Sequence, residues 1–271
     1  MSYIMKSTLT TLVSIAVACV GLGSASIARA AHFTNFLDAL QAEVSARLET
    51  NEDVAERRAL TSADKTLNRN SKKLSQDLGL FGSAVNTLNK TFSEEDEALA
   101  NAENASFNAF LTEAESQLNA VHDGATIHTT IPRSLSNALA QADAAYSNAV
   151  NNTNWAARVR ALNLTFTKIR VAQIQLAKSI KAPESIEDSN VQVTARFPGE
   201  RPFKFTLASD GTYAVGEEVG TWSYARTSAN TGVFTLTPDG GSSYAYDITF
   251  KSSKAGSLAG EGDVTGSIVI K

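Results

Sequence analysis

The chain has 271 residues, of which 43% are hydrophobic and 19% are charged, and its net charge is −4. This length has room for about two domains, and the apolar content excludes a disordered chain. Without an overall positive charge, the chain lacks the basic field that recruits nucleic acid.

The first thirty residues have the pattern of a signal peptide. Lys6 supplies the positive charge, residues 12–22 form an apolar run, and 28–30 reads Ala-Arg-Ala. This order predicts removal of residues 1–30 by cleavage after Ala30. The alternative of an uncleaved anchor is disfavoured, because a spanning helix needs about 20 apolar residues.

Cys19 is the single cysteine of the chain and lies inside the expected leader. Lipidation at Cys19 is the minor alternative to cleavage at Ala30. Loss of the leader would leave no cysteine, which excludes a disulfide framework and thiol chemistry. The sequence therefore predicts a periplasmic or secreted protein that depends on core burial for its stability.

The mature chain changes character near Pro183. Residues 31–182 are rich in Ala, Leu, Asn and Glu, whereas 189–271 alternate apolar and polar residues between Gly-containing turns. Helices followed by strands predict an α+β fold. We expect an antiparallel helical bundle with long coiled-coil-like helices, a linker at 183–188, and a small antiparallel β-barrel or meander.

Helical periodicity is clear in two segments. The first carries an apolar residue at every seventh position, which predicts a long packed helix, with a kink or break at Gly79 and Gly82. The second segment, from Trp155 to Ile180, has one main apolar row and a second row formed by Leu164, Val171 and Ile174. A helix that is apolar over so much of its circumference is expected to be central in the bundle. The seventh-position residues are Leu60, Leu67, Leu74, Phe81 and Leu88.

Three further residues predict helix ends between these segments. Ser93, followed by acids, predicts an N-cap; Gly124 predicts a left-handed terminator; and Pro132 predicts the start of the next helix. Residues 91–132 contain Asp and Glu but no Lys or Arg, and residues 144–183 contain Lys and Arg but no Asp or Glu. We interpret the two runs as flanks of neighbouring helices, the alternative being a polyanion site on the basic helix.

The C-terminal part reads as about seven short strands, with a Gly-rich loop before the last one at 267–270. A closed small barrel removes the sheet edges of such a meander, and a flat sandwich is the alternative. About the last 80 residues resemble a lipocalin-like (calycin-type) β module of exported bacterial proteins, which implies an antiparallel meander. The segments that carry the resemblance are 210–213, 220–224, 229–232, 236–237 and 248–250.

No motif for nucleotide binding or nucleophilic catalysis is present, so we predict no catalytic residue and no cofactor. His122, Asp123 and His128 lack metal-ligand spacing, and the acids at 94–97 fit a helix start. We therefore predict no metal site.

Four aromatic residues of the β part are the candidate ligand-binding residues. Each pair lies two residues apart on one strand face, and pairing of the two strands would join all four in one patch. Such a patch is either core packing or the lining of an apolar or sugar-binding cavity. The residues are Trp222, Tyr224, Tyr244 and Tyr246.

These features favour an exported, non-enzymatic envelope or secreted protein, with a partner-binding or self-associating helical part and a terminal β module. The alternatives are a carrier that holds a small apolar ligand or sugar in the barrel, and a hydrolase whose carboxylate pair leaves no motif. We expect no nucleic acid partner and no stable membrane span after cleavage. A filled barrel with an exposed apolar helix stripe would favour the first interpretation, and an apolar barrel cavity the second.

Overall fold

The computed structural model describes residues 36–71, 73–92 and 96–271. The expected leader, with its cleavage site at Ala30 and the alternative at Cys19, lies outside these ranges, as does the Ser93 cap. Within them the chain forms six helices and then eight strands, which confirms the α+β fold. The helices are α1 Asp38–Thr50, α2 Val54–Leu67, α3 Leu74–Leu88, α4 Glu97–Ala125, α5 Arg133–Asn151 and α6 Trp155–Ser179.

The helical part has one apolar core, built from the inward faces of all six helices. At its centre the ring of Trp155 meets those of Phe107 and Phe81 edge-on, with centroids 5.3 and 5.9 Å apart. α5 lies along α6, and α6 also contacts α3 and α4. Contact with three helices accounts for the regular apolar row of α6.

The expected long heptad helix is instead a hairpin of α2 and α3. The break falls at the polar connection 68–73 and not at Gly79 or Gly82, both of which lie inside α3. The same leucine rows still face the core, because two helices folded back on each other can bury the stripe that one long helix would present. No coiled coil is therefore needed to explain the heptads.

Helix α4 ends one residue after the expected stop at Gly124, but Gly124 does not have the left-handed conformation expected of a terminator. Helix α4 continues to Ala125, and Gly124 lies within its last turn. A Cβ at this position would lie 2.7 Å from Cδ2 of Leu176. The glycine therefore permits close approach of α4 and α6 rather than a left-handed turn. Pro132 directly precedes α5, as expected.

The strands form one closed antiparallel barrel in sequence order, with β1 paired to β8, so the flat sandwich is excluded. There are eight strands and not seven, because β7 occupies the expected Gly-rich loop. The strands are β1 Val191–Arg196, β2 Phe203–Leu207, β3 Thr212–Val215, β4 Glu218–Arg226, β5 Thr231–Pro238, β6 Tyr244–Ser252, β7 Ala255–Gly260 and β8 Val264–Ile270.

The bundle closes one end of the barrel. The chain leaves α6 and passes through Ala182 and Ile186, which are both buried in the barrel core. The Ala229 carbonyl accepts hydrogen bonds from the amides of Lys181 and Ala182 at 2.7 and 2.9 Å, and the Ala229 amide donates to Ile127 at 3.2 Å. We call Ala182 and Ile186 the plug, and the second of these residues lies within the segment 183–188 that was expected to be a linker.

The other end of the barrel points away from this junction, and we call it the free end. Because the strands alternate in direction, four connections lie there: 197–202, 216–217, 239–243 and 261–263. Among the described residues, no helix is long and apolar enough to cross a membrane.

Candidate functional site

The four predicted aromatic residues all have inward-facing positions in the barrel but do not form one patch. β5 lies between β4 and β6, so Trp222 and Tyr244 both align with Leu236, whereas Tyr224 and Tyr246 both align with Phe234. The expectation that the two pairs meet directly is therefore wrong. The row is continuous only through the side chains of β5.

Two of the four residues are core residues of the barrel. Trp222 is buried, and its Nε1 donates to the Ala208 carbonyl at 2.9 Å. Tyr224 is buried beside the plug, where its hydroxyl donates to the Pro183 carbonyl at 3.0 Å. Burial raises the pKa of Tyr224 to about 12. Both polar groups are satisfied within the protein, as buried tyrosine and tryptophan require.

The middle of the barrel is filled by side chains. Val191, Leu207, Phe234, Ile248 and Ile268 have no exposed surface, so not even a water-sized void borders them. A small eight-stranded barrel has an interior just wide enough for its own side chains. A ligand in the middle of this barrel would have to displace them.

Tyr244 and Tyr246 lie instead at the free end of the barrel. Tyr244 begins β6 and is 50% exposed, and Tyr246 is half-buried one pleat further in. Glu218 begins β4 beside them, and its Oε1 accepts a hydrogen bond from the buried Tyr213 hydroxyl at 2.8 Å. A carboxylate therefore lies among tyrosine rings at this mouth.

The electrostatics of these tyrosines follow from burial and from Glu218. The pKa of Tyr213 is raised well above its ordinary value, first by burial and then by its hydrogen bond to Glu218. The pKa of Tyr246 is raised first by burial and further by electrostatic repulsion between its ionised form and its neighbours, Glu218 among them. The Tyr213 hydroxyl therefore keeps its proton at neutral pH and donates it in the hydrogen bond to Glu218.

Three phenylalanines extend the aromatic surface at the free end. The rings of Phe197 and Phe203 stack with centroids 5.7 Å apart, and those of Phe203 and Phe205 follow at 5.8 Å. Phe205 packs on the barrel core, whereas Phe197 is exposed in the connection 197–202. We call the following set the free mouth: Phe203, Phe205, Tyr213, Glu218, Tyr244 and Tyr246.

The connections around the free mouth are acidic. Arg201 is the one base in the four connections at this end. Glu218 adds a negative charge at the start of β4 and Arg196 a positive one at the end of β1, so the rim carries a net negative charge. The acids in the connections are Glu200, Glu217, Asp239, Glu261 and Asp263.

A second candidate surface is the outward side of α6. Leu164, Val171 and Ile174 are 47%, 42% and 44% exposed. Their spacing of seven and three residues places them on one side of a helix. The expectation that this second row is packed inside the bundle is therefore wrong, since the helices that contact α6 cover only its main apolar row.

Basic side chains accompany this row. Arg160, Arg170 and Lys178 are exposed on α6, and Trp155–Ser179 contains no Asp or Glu. We use the term α6 outer face for these three cations with Leu164, Val171 and Ile174.

The predicted contact between the acidic and basic helices is present, because α4 packs against α6. No ion pair joins these two helices in the described part of the chain. Arg158 instead stacks on Phe107 at 4.1 Å from the ring centroid, and Lys168 donates to Gln141 at 2.8 Å. The exposed bases of α6 are therefore not paired with the acids of α4 in these ranges.

The two histidines within the described ranges lie in separate environments. His122 contacts Asp143 at 2.9 Å, and the buried His128 contacts Ser179 at 2.8 Å. No group of three or more His, Cys, Asp or Glu side chains in the described ranges could hold a metal ion.

Sequence reasoning missed Glu218, Tyr213 and the phenylalanine row. The signal was present, because positions 218, 220, 222 and 224 share one strand face. Glu218 therefore extends the inward row of Trp222 and Tyr224 to the rim. Only the closure of the barrel brings β2, β3 and β6 to the same mouth.

Comparison of the chain with known protein families, with curated proteins and with solved structures finds no match in any of the three. The closed eight-stranded antiparallel barrel is compatible with a calycin-like barrel.

Proposed function

We propose that this chain is an exported, non-enzymatic binding protein whose α6 outer face docks a protein partner. The observation that carries the proposal is the exposed row of Leu164, Val171 and Ile174. Single exposed apolar residues are ordinary. Three on one helix face, about 15 Å from first to last at 1.5 Å per residue, make a stripe of the kind that partner helices recognise.

The charges of α6 specify the kind of partner. The cations that accompany the stripe have no acids among them, so pairing with α6 of a second copy would bring like charges together. Like-charge contact across an interface is unfavourable and selects against the wrong partner. The surface therefore fits an amphipathic partner whose apolar stripe is flanked by carboxylates.

The β part serves in this proposal as a terminal module held firmly on the bundle. Its filled interior does not favour a carrier that encloses its ligand. Its closed barrel supports the resemblance to lipocalin-like modules at the level of architecture. The leader pattern of residues 1–30 supports export to the periplasm or beyond.

Two amphipathic helical peptides test the docking surface. They share one leucine face, and Glu flanks this face in one peptide and Lys in the other. Fluorescence anisotropy with the full mature chain should show the Glu peptide binding roughly tenfold more tightly. Equal binding of both peptides, or binding of neither, would contradict the proposal.

Matched variants locate the binding. Val171→Ser with Ile174→Ser should abolish it, whereas Val219→Ser, on the exposed side of β4, should leave it unchanged. Arg160→Glu with Lys178→Glu should remove the preference for the Glu peptide, and the same charge change at Lys254 and Lys271 should not. If light scattering shows a dimer that the Val171 and Ile174 changes dissolve, the occupant is a second copy and not a foreign partner.

A further inference from the structure

We propose that the free mouth of the barrel is a binding site for an organic cation with an ammonium head. The proposal rests on the placement of one carboxylate among aromatic rings and is independent of the α6 outer face. Glu218 would pair with the positive charge, while Tyr244, Tyr246 and the neighbouring phenylalanines would contact the carbon atoms around it.

Glu218 is placed to accept such a ligand. Its Oε1 is held by the Tyr213 hydroxyl at 2.8 Å, and its Oε2 accepts no hydrogen bond from any residue in the described ranges. Tyr213 is buried, so it orients the carboxylate without contacting the ligand. It is a positioning residue, and the exposed Glu218 is the contact.

The aromatic rings supply the second half of the recognition. Tyr244 is half exposed, and Phe203 presents its ring beside the stacked Phe197. The faces of aromatic rings attract cations, and cages of such rings are a general means of binding quaternary ammonium groups. A carboxylate adds a charge-assisted contact when the ammonium group carries a proton.

The charge of the free end selects among ligands. The negative rim attracts cations and repels phosphates and carboxylic acids. A neutral sugar would gain stacking and hydrogen bonds to the carboxylates, but no charge attraction to the rim. The mouth also lacks the three ligating side chains that a metal ion would need, as the described residues contain no such group. An organic cation uses both the rings and the carboxylate.

The filled core of the barrel forms the floor of the proposed site at the free mouth. Trp222 and Phe234 lie below the mouth and fill the interior, which closes the site from beneath. A bound cation would therefore sit at the rim and keep one side in water. We expect modest affinity and fast exchange for such a half-open site.

Titration calorimetry on the full mature chain tests the proposal with two cations. Choline represents a free quaternary ammonium compound, and N-acetyl-lysine methylamide represents a lysine side chain of a protein. The neutral control is 3,3-dimethylbutan-1-ol, which has the shape of choline without the charge. At least one cation should bind roughly tenfold more tightly than the neutral compound, and the tighter one assigns the source of the ammonium group.

Variants connect the binding to the mouth. Glu218→Gln keeps an acceptor for Tyr213 but removes the charge, and it should weaken the bound cation roughly tenfold. Tyr244→Ala should weaken it several-fold. The matched control Asp239→Asn removes a rim charge outside the aromatic set and should change the affinity less than about twofold.

Three results would overturn the assignment: neither cation binds, the neutral compound binds equally well, or Glu218→Gln has no more effect than Asp239→Asn. Tyr213→Phe separates positioning from contact. This variant should lower the affinity for the cation without changing the circular dichroism spectrum of the folded protein. The double variant with Glu218→Gln should bind the cation no more weakly than Glu218→Gln alone.

Discussion

Glu103 is a carboxylic acid buried in the helical core, with 2% of its surface exposed. It shares a hydrogen bond with Asn89, and no described residue pairs with its Oε1. Burial, opposed by the Asn89 bond and reinforced by the nearby Asp96, raises the pKa of Glu103 to about 7. Asp96 itself is held by Arg47, which lowers its pKa and keeps it charged.

The raised pKa predicts a loss of stability with rising pH. The native state holds a proton that the unfolded state releases, so the free energy of unfolding should fall as pH rises from about 4.5 to about 7. Glu103→Gln should remove this slope and should be more stable than the wild type above pH 7 by up to about 3 kcal/mol. Urea unfolding across this pH range measures both effects.

Glu49→Gln, on the exposed side of α1, is the control and should keep the wild-type slope. A Glu103→Gln variant with an unchanged slope would show that Glu103 is not the titrating group. Helical spacing already marks Glu103, because it stands four residues from both Leu99 and Phe107 on an otherwise apolar face. Sequence cannot supply its depth, which depends on how α1 and α3 pack over α4.

At the scale of the element, α3 contains a glycine with no structural role. Gly79 is exposed, its φ is ordinary, and a Cβ would meet no atom within 4 Å. Gly79→Ala should therefore stabilise the protein by about 1 kcal/mol, through helix propensity and a less flexible unfolded chain. Chemical denaturation gives the value directly.

Gly82→Ala is the matched comparison in the same helix. Its Cβ would lie 3.1 Å from Cγ1 of Val159 on α6, so part of the same gain is lost to crowding. We expect a smaller gain than at Gly79, or none. If Gly79→Ala destabilised the protein, the solvent-facing placement of this part of α3 would be wrong.

The sequence predicts the type of a helix or strand and its apolar side better than the residues at which the element begins and ends. Periodicity marks which side of α2, α3 and α6 is apolar, because burial acts on each side chain separately. It does not show whether a heptad row is one helix or a hairpin, since both bury Leu60 and Leu88. It missed β7 for a related reason: Gly260 reads as a loop residue until the Tyr246 ring packs against it, 2.5 Å from where a Cβ would stand.

At the scale of the whole molecule, the junction determines how the two candidate surfaces are arranged. α6 ends at Ser179 and leads within a few residues into the plug at Ala182 and Ile186. The plug and the hydrogen bonds of Ala229 close the bundle side of the barrel. The free mouth is therefore left at the opposite end, where a ligand and an α6 partner could bind without competing.

Ile186→Ala tests whether the plug is part of the barrel core. The side chain is 1% exposed, and truncation of such a residue costs about 2–4 kcal/mol through lost burial and a residual cavity. Hydrogen exchange on the full chain should show faster exchange in the barrel strands and at the amides of Lys181 and Ala182, while α1 and α2 stay protected. The matched change Ile131→Ala, at a position that is 42% exposed, should alter stability by less than about 0.5 kcal/mol. Equal effects of the two changes would mean that the segment after α6 is an ordinary linker. Only truncation of a side chain that is packed among the strands can destabilise the whole barrel.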